Sequence, residues 1–165
     1  MPKEKNAASA TSAAQAVDHV DTRYLQSLLG YNARRAALSI IGVFLERMEP
    51  YGLRPVDFSV LSVIGHNPGV TSRQLCASLG ILPPNFVALL TNLEKRGLVQ
   101  RSAHASDKRA VSLLLSATGR NLMEKAERTA TMLEQDASQK LSPTELKTLN
   151  RLLQKVYQNG VGAVK

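Results

Sequence analysis

The sequence contains a single cysteine, Cys76, and no tryptophan. One cysteine excludes an internal disulfide and is typical of a reducing compartment. No apolar run approaches the about 20 residues that a transmembrane helix requires. The N-terminal segment is small and polar, and it lacks the apolar centre of a signal peptide. We therefore expect a cytoplasmic protein with no membrane partner.

Patterns typical of enzymes and metal sites are also missing. The sequence shows no nucleophile–base pair, no paired carboxylates and no glycine-rich phosphate loop. His19, His66 and His104 are scattered, and none has a Cys, Asp or Glu at ligand spacing on a shared helix face. We expect no enzymatic activity, no cofactor and no metal site. Cys76 lies on an apolar helical stripe, which favours a buried, unreactive thiol over a redox sensor.

Positive charge, by contrast, is abundant. The net charge is +8 and the isoelectric point is about 9.9, which favours a polyanionic partner. Between residues 71 and 110, six lysines and arginines face only two carboxylates, so half of the net charge lies in one short segment. Scattered lysines are usually a solvated surface, but this concentration favours nucleic acid.

The same segment has the pattern of a helix-turn-helix followed by a β-hairpin. Thr71 and Gln74 form a capping box, and Gly80 ends the helix that they begin. The proline pair at 83–84 opens a second helix, which Gly97 ends. Two helices joined by a tight turn match a helix-turn-helix, and the basic hairpin after them matches the wing of a winged helix.

Long helices with apolar stripes flank this segment. The spacing predicts helices over about 22–48 and 117–159, the latter restarted at Ser142, with a shorter helix from Pro55 between the first of them and the winged segment. These stripes are too wide to be buried in so thin a fold, which favours a homodimer. We expect a mainly α (α+β) fold: a disordered tail over 1–20 and a single domain over 21–165, with its winged helix at about 53–116.

Three motifs, in order and at fixed spacing, resemble the MarR (multiple antibiotic resistance regulator) family of winged-helix transcription factors. They are LEKRGLV at 93–99, DKRA at 107–110 and LSATG at 115–119, where Ser116 replaces the usual threonine and keeps a capping hydroxyl. The resemblance covers residues 24–157. It implies a dimer joined through its N- and C-terminal helices and bound to double-stranded, pseudo-palindromic operator DNA. It also implies a repressor released by a small, often phenolic, ligand.

The resemblance assigns an exposed DNA-reading face to the second helix and an inserted arginine to the wing. Arg109 would enter the minor groove, and Asp107 would orient it, while Lys108 would contact the DNA phosphate backbone. Ser72 and Arg73 begin the preceding helix, where free N–H groups suit phosphate. Arg101 either contacts the DNA phosphate backbone or is a solvated arginine on the strand. The DNA-reading face comprises Pro84, Asn85, Ala88, Thr91 and Asn92.

The resemblance also implies an effector pocket bordered by the first long helix. Arg34 and Arg35 interrupt an apolar stretch there, so one of them could neutralise a carboxylate or phosphate; the alternative is a solvated or interfacial ion pair. Tyr31 is either core or pocket wall, and Phe58 is either core or a ligand contact. By family habit, and because of the arginine pair, the effector would be a phenolic acid or its coenzyme A thioester.

Two functions are consistent with these features. The first is a dimeric, ligand-responsive transcriptional repressor. The second is a constitutive or architectural DNA-binding protein without an effector. A cavity near the winged domain, and DNA release on ligand addition, would separate the two.

Overall fold

The computed structural model describes residues 19–103 and 110–158, which form helices and one small sheet. The helices are α1 (Arg23–Gln26), α2 (Leu29–Met48), α3 (Pro55–His66), α4 (Ser72–Leu79), α5 (Pro83–Lys95), α6 (Ala117–Ala137) and α7 (Pro143–Gln158), with a 3-10 turn at Glu49–Tyr51 after α2. The strands are β1 (Val70–Thr71), β2 (Val99–Ala103) and β3 (Val111–Leu115). The chain therefore has the predicted mainly α winged-helix fold. It divides into two compact units, one up to Ala36 and one from Ala37 onward.

The predicted single helix from residue 22 is wrong in its first turns, because α1 ends at Gln26 and α2 begins at Leu29. Side-chain donors form hydrogen bonds with backbone carbonyls before and within this break. The Ser27 hydroxyl donates to the Tyr24 carbonyl at 2.7 Å. The Asn32 amide donates to the Gln26 and Leu28 carbonyls at 2.7 and 3.0 Å. Such local competition by serine and asparagine with the helical ladder breaks the helix here.

The predicted helix starts in the larger unit are confirmed by their caps. The Thr71 hydroxyl accepts from the Gln74 backbone N–H at 3.3 Å, while the Gln74 amide oxygen accepts from the Thr71 N–H at 2.9 Å. Ser116 accepts from the Gly119 N–H at 2.9 Å. The box at Ser142 and Glu145 starts α7 in the same way. Each cap satisfies backbone donors that have no partner within the helix.

One hydrophobic core joins α3, α4, α5, the sheet and α6. Its members include side chains with at most 2% exposure from each of these elements, which is the tight packing of a self-contained domain. The largest fully buried side chains of the described residues are Phe86, Met48, Leu61, Ile64, Leu75, Leu93, Leu113, Leu133 and Val60.

The antiparallel sheet has the strand order β1-β3-β2, with Val70 opposite Leu113 and Arg101 opposite the same leucine on the other side. The two-residue β1 strand was not predicted, because two residues carry no periodicity. The sheet is tied to α6 by a close backbone approach. A Cβ on Gly119 would lie 2.1 Å from the Leu98 carbonyl oxygen, so glycine is required there.

Helix α7 differs from the core elements, because none of its residues is buried. Its predicted apolar stripe is intact but faces solvent. Within the described residues, no single helix is both long enough and apolar enough to cross a membrane. The exposed members of the stripe are Leu149, Leu152, Leu153, Val156 and Tyr157.

Candidate nucleic-acid interface

Helix α5 is built as a ridge, with one apolar face buried and a polar face in solvent. Two prolines in its first turn start it, and its direction differs by 116° from that of α4. That angle is typical of a helix-turn-helix pair. Phe86, Leu89, Leu90 and Leu93 fix the inner face in the core. All five predicted DNA-reading residues are exposed on the outer faces: Pro84, Asn85, Ala88, Thr91 and Asn92.

The Thr91 hydroxyl donates to the Val87 carbonyl at 2.9 Å, which fixes its rotamer. This bond occupies the hydroxyl proton, so Thr91 presents its methyl group and oxygen lone pairs to a ligand.

A groove of about 660 Å³ runs along one flank of α5, between α4 and β2. We call it the α4–β2 groove. It is lined by Ser72 and Arg73 from the start of α4, Val87 from α5 and Arg101 from β2, so three predicted DNA contacts line one groove. Cys76 is half-buried in the same groove, more accessible than the buried thiol that the sequence predicts, because the edge of the α4 stripe faces this groove.

Arg101 is held by a carboxylate. Its Nε and Nη2 atoms donate to the two Glu94 oxygens at 2.5 and 3.1 Å, in a bidentate pair that joins β2 to α5. The hydrogen bond to Glu94 raises the pKa of Arg101, and the negative charge of Glu94 adds to it. The Arg101 side chain stays 55% exposed and that of Glu94 26% exposed. Arg101 is therefore a solvent-accessible cation whose charge is partly neutralised.

A second groove, of about 690 Å³, follows the opposite flank of α5. We call it the α3–α5 groove. Asn85, Ala88 and Asn92 line it from α5, and Arg54 lines it from the residue before α3. Sequence reasoning missed Arg54. The available signal was a cation at a helix N-cap, where serine, threonine, aspartate or asparagine is preferred.

Arg54 is oriented by the buried carboxylate of Asp57. Its Nε and Nη2 atoms donate to Asp57 at 2.8 and 3.0 Å, and its backbone N–H donates at 3.1 Å. Burial pushes the pKa of Asp57 upward, but the hydrogen bonds from Arg54 and the charges of Arg54 and Arg96 outweigh it, and the pKa is lowered. The Arg96 Nη2 atom also donates to the Tyr51 carbonyl at 3.0 Å.

Comparison with known proteins agrees with this architecture. The MarR family model matches residues 51–110, which include α3, the helix-turn-helix and β2. A solved structure of the transcriptional repressor CouR bound to a 23-mer DNA duplex is 35% identical, with a TM-score of 0.79, and covers 85% of this chain and 99% of its own. The chain belongs to the MarR family. It is a DNA-binding transcription regulator, not an enzyme.

Other transcription regulators match as well. A structure of CouR bound to p-coumaroyl-CoA is 34% identical, with a TM-score of 0.75, over 84% of this chain and 98% of that one. The putative transcriptional regulatory protein for the hcr operon of Thauera aromatica is 28% identical over 79% of each chain.

The wing of this MarR-family chain consists of β2 and β3, which pair from Val99 with Leu115 to Ala103 with Val111. The three predicted wing contacts, Asp107, Lys108 and Arg109, lie outside the described residues.

A third cavity, of about 490 Å³, lies between α3 and α6 beside the start of α7. Phe58 lines it and packs edge-to-face on Phe44, with ring centroids 5.6 Å apart. On its polar wall the Ser62 hydroxyl donates to Glu127 at 2.9 Å, and His66 lies 3.1 Å from the same oxygen. Among the described residues, no cluster of His, Cys, Asp and Glu is arranged to hold a metal ion.

The other predicted ligand residues lie on α2 in the N-terminal unit. Tyr31 is half-buried, and Arg34 and Arg35 are exposed.

Proposed function

We propose that this MarR-family chain is a cytoplasmic, homodimeric repressor that binds a pseudo-palindromic operator and is released by a small aromatic ligand or its coenzyme A thioester. The proposed operator binding is supported chiefly by the exposed polar ridge of α5, which is flanked by two grooves that each contain an arginine. A B-DNA major groove admits one helix, and a twofold dimer presents two such helices to successive turns of one duplex face.

In this proposal residues 21–165 act as one domain, and base contacts come from the α5 ridge. Asn85 and Asn92 are suited to reading adenine through bidentate amide hydrogen bonds. Ser72, Arg73, Arg101 and Lys108 contact phosphates, which position the protein without reading sequence. Arg109 enters the minor groove and Asp107 orients it, so R109A costs about 1–3 kcal/mol per half-site, as for a good base contact.

The proposed homodimer rests on α7. Its five large apolar side chains are 37–57% exposed in the single chain, and an exposed apolar stripe of this kind marks a surface that a partner covers.

The proposed ligand response rests on two supports. The CouR relative is known in a complex with p-coumaroyl-CoA. The cavity at Phe58 lies between α3, which begins the winged domain, and α6, which leads to α7. A ligand there would contact both the DNA-binding region and the helix that precedes the dimer stripe. Tyr31, Arg34 and Arg35 remain our proposed further contacts to the ligand.

The test begins with selection of duplexes from a random pool, followed by fluorescence anisotropy on the selected operator. If each half of the dimer neutralises about three to five phosphates, the plot of log K against log salt has a slope of magnitude about 5–9. A flat salt response, or equal affinity for every duplex, would contradict operator recognition.

The ligand response is then tested with p-coumarate, p-coumaroyl-CoA and coenzyme A alone. We expect an aromatic acid or its thioester to release the DNA and to raise the thermal unfolding temperature, because it stabilises the native state. Specific DNA binding that no aromatic compound weakens would favour the constitutive alternative.

A further inference from the structure

The α3–α5 groove places beside the α5 ridge a cation, Arg54, to which no DNA contact has been assigned. Arg54 is 64% exposed and shares this groove with Asn85, Ala88 and Asn92. Three of the five proposed base-reading residues therefore line the same groove as this guanidinium. A DNA strand that contacts these three residues therefore lies in the groove that Arg54 also lines.

The two grooves lie on opposite flanks of one helix. Asn85 and Val87 are two residues apart, which separates them by about 200° around the helix axis. Asn85 lines the α3–α5 groove, and Val87 lines the α4–β2 groove. A helix in a major groove has one phosphate backbone on each side, because both strands border the groove. Ser72, Arg73 and Arg101 all line the α4–β2 groove, so their proposed phosphate contacts lie on one flank of α5.

Asp57 fixes the direction of Arg54 without cancelling its charge toward solvent. The carboxylate uses Nε and Nη2, which leaves Nη1 on the other edge of the planar fork. The Asp57 side chain is only 5% exposed, so it lies behind the guanidinium and away from an incoming phosphate. Arg96 adds a second positive charge beside Asp57, so this cluster of three residues carries a net charge of about +1.

We propose that Arg54, positioned by Asp57, binds a DNA phosphate on the backbone opposite the one contacted by Ser72, Arg73 and Arg101. The α5 ridge then has phosphate contacts on both of its flanks, one to each DNA backbone, and not on one flank only. This inference rests on the proposed DNA-binding mode of α5, and it adds a contact that lies outside the helix-turn-helix and the wing.

A purely structural role for Arg54 makes a different prediction. If the ion pair only starts α3, its loss lowers stability and leaves the salt dependence of DNA binding unchanged. R54T separates the two roles, because threonine is a preferred N-cap residue and pairs with an acid three residues later in a capping box. R54Q is the second variant, with a longer neutral side chain.

The measurement is anisotropy of the full-length dimer with its operator and with an unrelated duplex over a salt series. With both half-sites affected, we expect R54T and R54Q to lower the slope magnitude by about 1.8 and affinity by about 10- to 60-fold near 0.1 M salt. Both duplexes should lose affinity to a similar extent, because phosphate contacts carry no sequence information. Thermal unfolding confirms that each variant is folded.

R47Q is the matched control. Arg47 pairs with Asp136 at 3.0 Å, an exposed Arg–Asp contact between α2 and α6 that lines neither groove, and R47Q removes the same charge. Its slope should stay near that of the wild type. Folded R54T and R54Q proteins with the slope of R47Q would overturn the proposal for Arg54. A wild-type protein without salt-dependent operator binding would instead overturn the proposed function itself.

Discussion

The winged-helix region and helix α7 bury their apolar residues in different ways. From α3 to β3, each helix contributes fully or nearly fully buried leucine, isoleucine, valine or phenylalanine side chains to a single core. Helix α7 contributes none, although its leucines are spaced just as regularly. The same periodic pattern thus gives a closed core in one region and an open stripe in the other.

Periodicity therefore predicts which face of a helix is apolar but not what covers that face. In the winged-helix region the apolar faces of the helices and the sheet pack against one another within the same chain. In α7 the neighbouring segments are the end of α6 and the loop before Ser142, which leave the stripe in solvent. A second copy of the chain is the partner that a twofold dimer supplies.

The largest effect is expected from charges placed in the α7 stripe. Leu149→Lys with Leu153→Lys puts two cations where the dimer contact is proposed, so the protein should become monomeric. Operator affinity should fall by about 10²–10⁴-fold, because linked half-sites bind far better than separate ones. Light scattering gives the mass, and anisotropy gives the affinity.

The fold of the winged-helix region should survive this change, because neither leucine is buried. The control K147E/R151E changes two charged residues of α7 that are outside the apolar stripe. We expect it to remain dimeric. A wild-type protein that is monomeric at micromolar concentration would contradict the dimer proposal directly.

Much of the winged-helix region could be predicted from the sequence, because local chemistry determines it. The capping box at Thr71 and the glycines after α4 and α5 each specify a boundary through backbone hydrogen bonds or positive φ. The break between α1 and α2 could not be predicted, since it depends on which carbonyls Ser27 and Asn32 select. The groove at Arg54 is also invisible in sequence, because it forms between residues about 30 positions apart.

The next largest effect is the change in folding stability when Gly119 is replaced by alanine, compared with the same replacement at Gly42. Gly119→Ala should destabilise the fold by about 1–3 kcal/mol or more, because the new methyl group meets the Leu98 backbone, which cannot move without the sheet. Gly42→Ala, within α2, meets no atom within 4 Å and should stabilise the helix by about 0.5–1 kcal/mol.

Urea unfolding at one fixed protein concentration compares the two glycine variants, because dimer stability depends on concentration. A loss of stability in G42A would indicate that a partner chain packs against this part of α2. Equal tolerance of both alanines would contradict the packing of α6 on the sheet.

A smaller effect is expected from the buried carboxylate of Asp57. Its pKa is lowered in the folded state, so its stabilising contribution is complete above the unfolded-state pKa of about 3.9 and is lost as the pH falls below it. At pH 7, Asp57→Asn should cost about 1–2 kcal/mol, allowing for the exposure of Arg54. The difference in stability between the wild type and D57N should shrink as the pH falls below about 3.9 toward the lower pKa of the folded state.

E145Q is the control for D57N, since the pKa of Glu145 is also lowered by its hydrogen bonds to Ser142, but in full contact with water. Its effect on the urea midpoint should be much smaller at every pH. A D57N protein that stays less stable than wild type by the same amount down to pH 3 would show that packing, and not ionisation, determines the difference.

The smallest effect compares two Arg–Glu pairs. Glu94 neutralises Arg101 in the α4–β2 groove, and unlike Asp57 it is partly exposed, so it lies where it can repel a phosphate. Glu94→Gln should therefore free Arg101 and raise affinity for any duplex by a few-fold, with a slope steeper by only a fraction of the about 0.9 per half-site that a full phosphate contact adds. Glu124→Gln makes the same charge change beside Arg128 on α6, outside both grooves. Anisotropy over a salt series should show little change for E124Q, and adding R101A to E94Q should abolish its gain. A loss of affinity in E94Q would mean that Glu94 orients Arg101 as Asp57 orients Arg54. Each flank of α5 would then have an arginine that a carboxylate orients toward a phosphate.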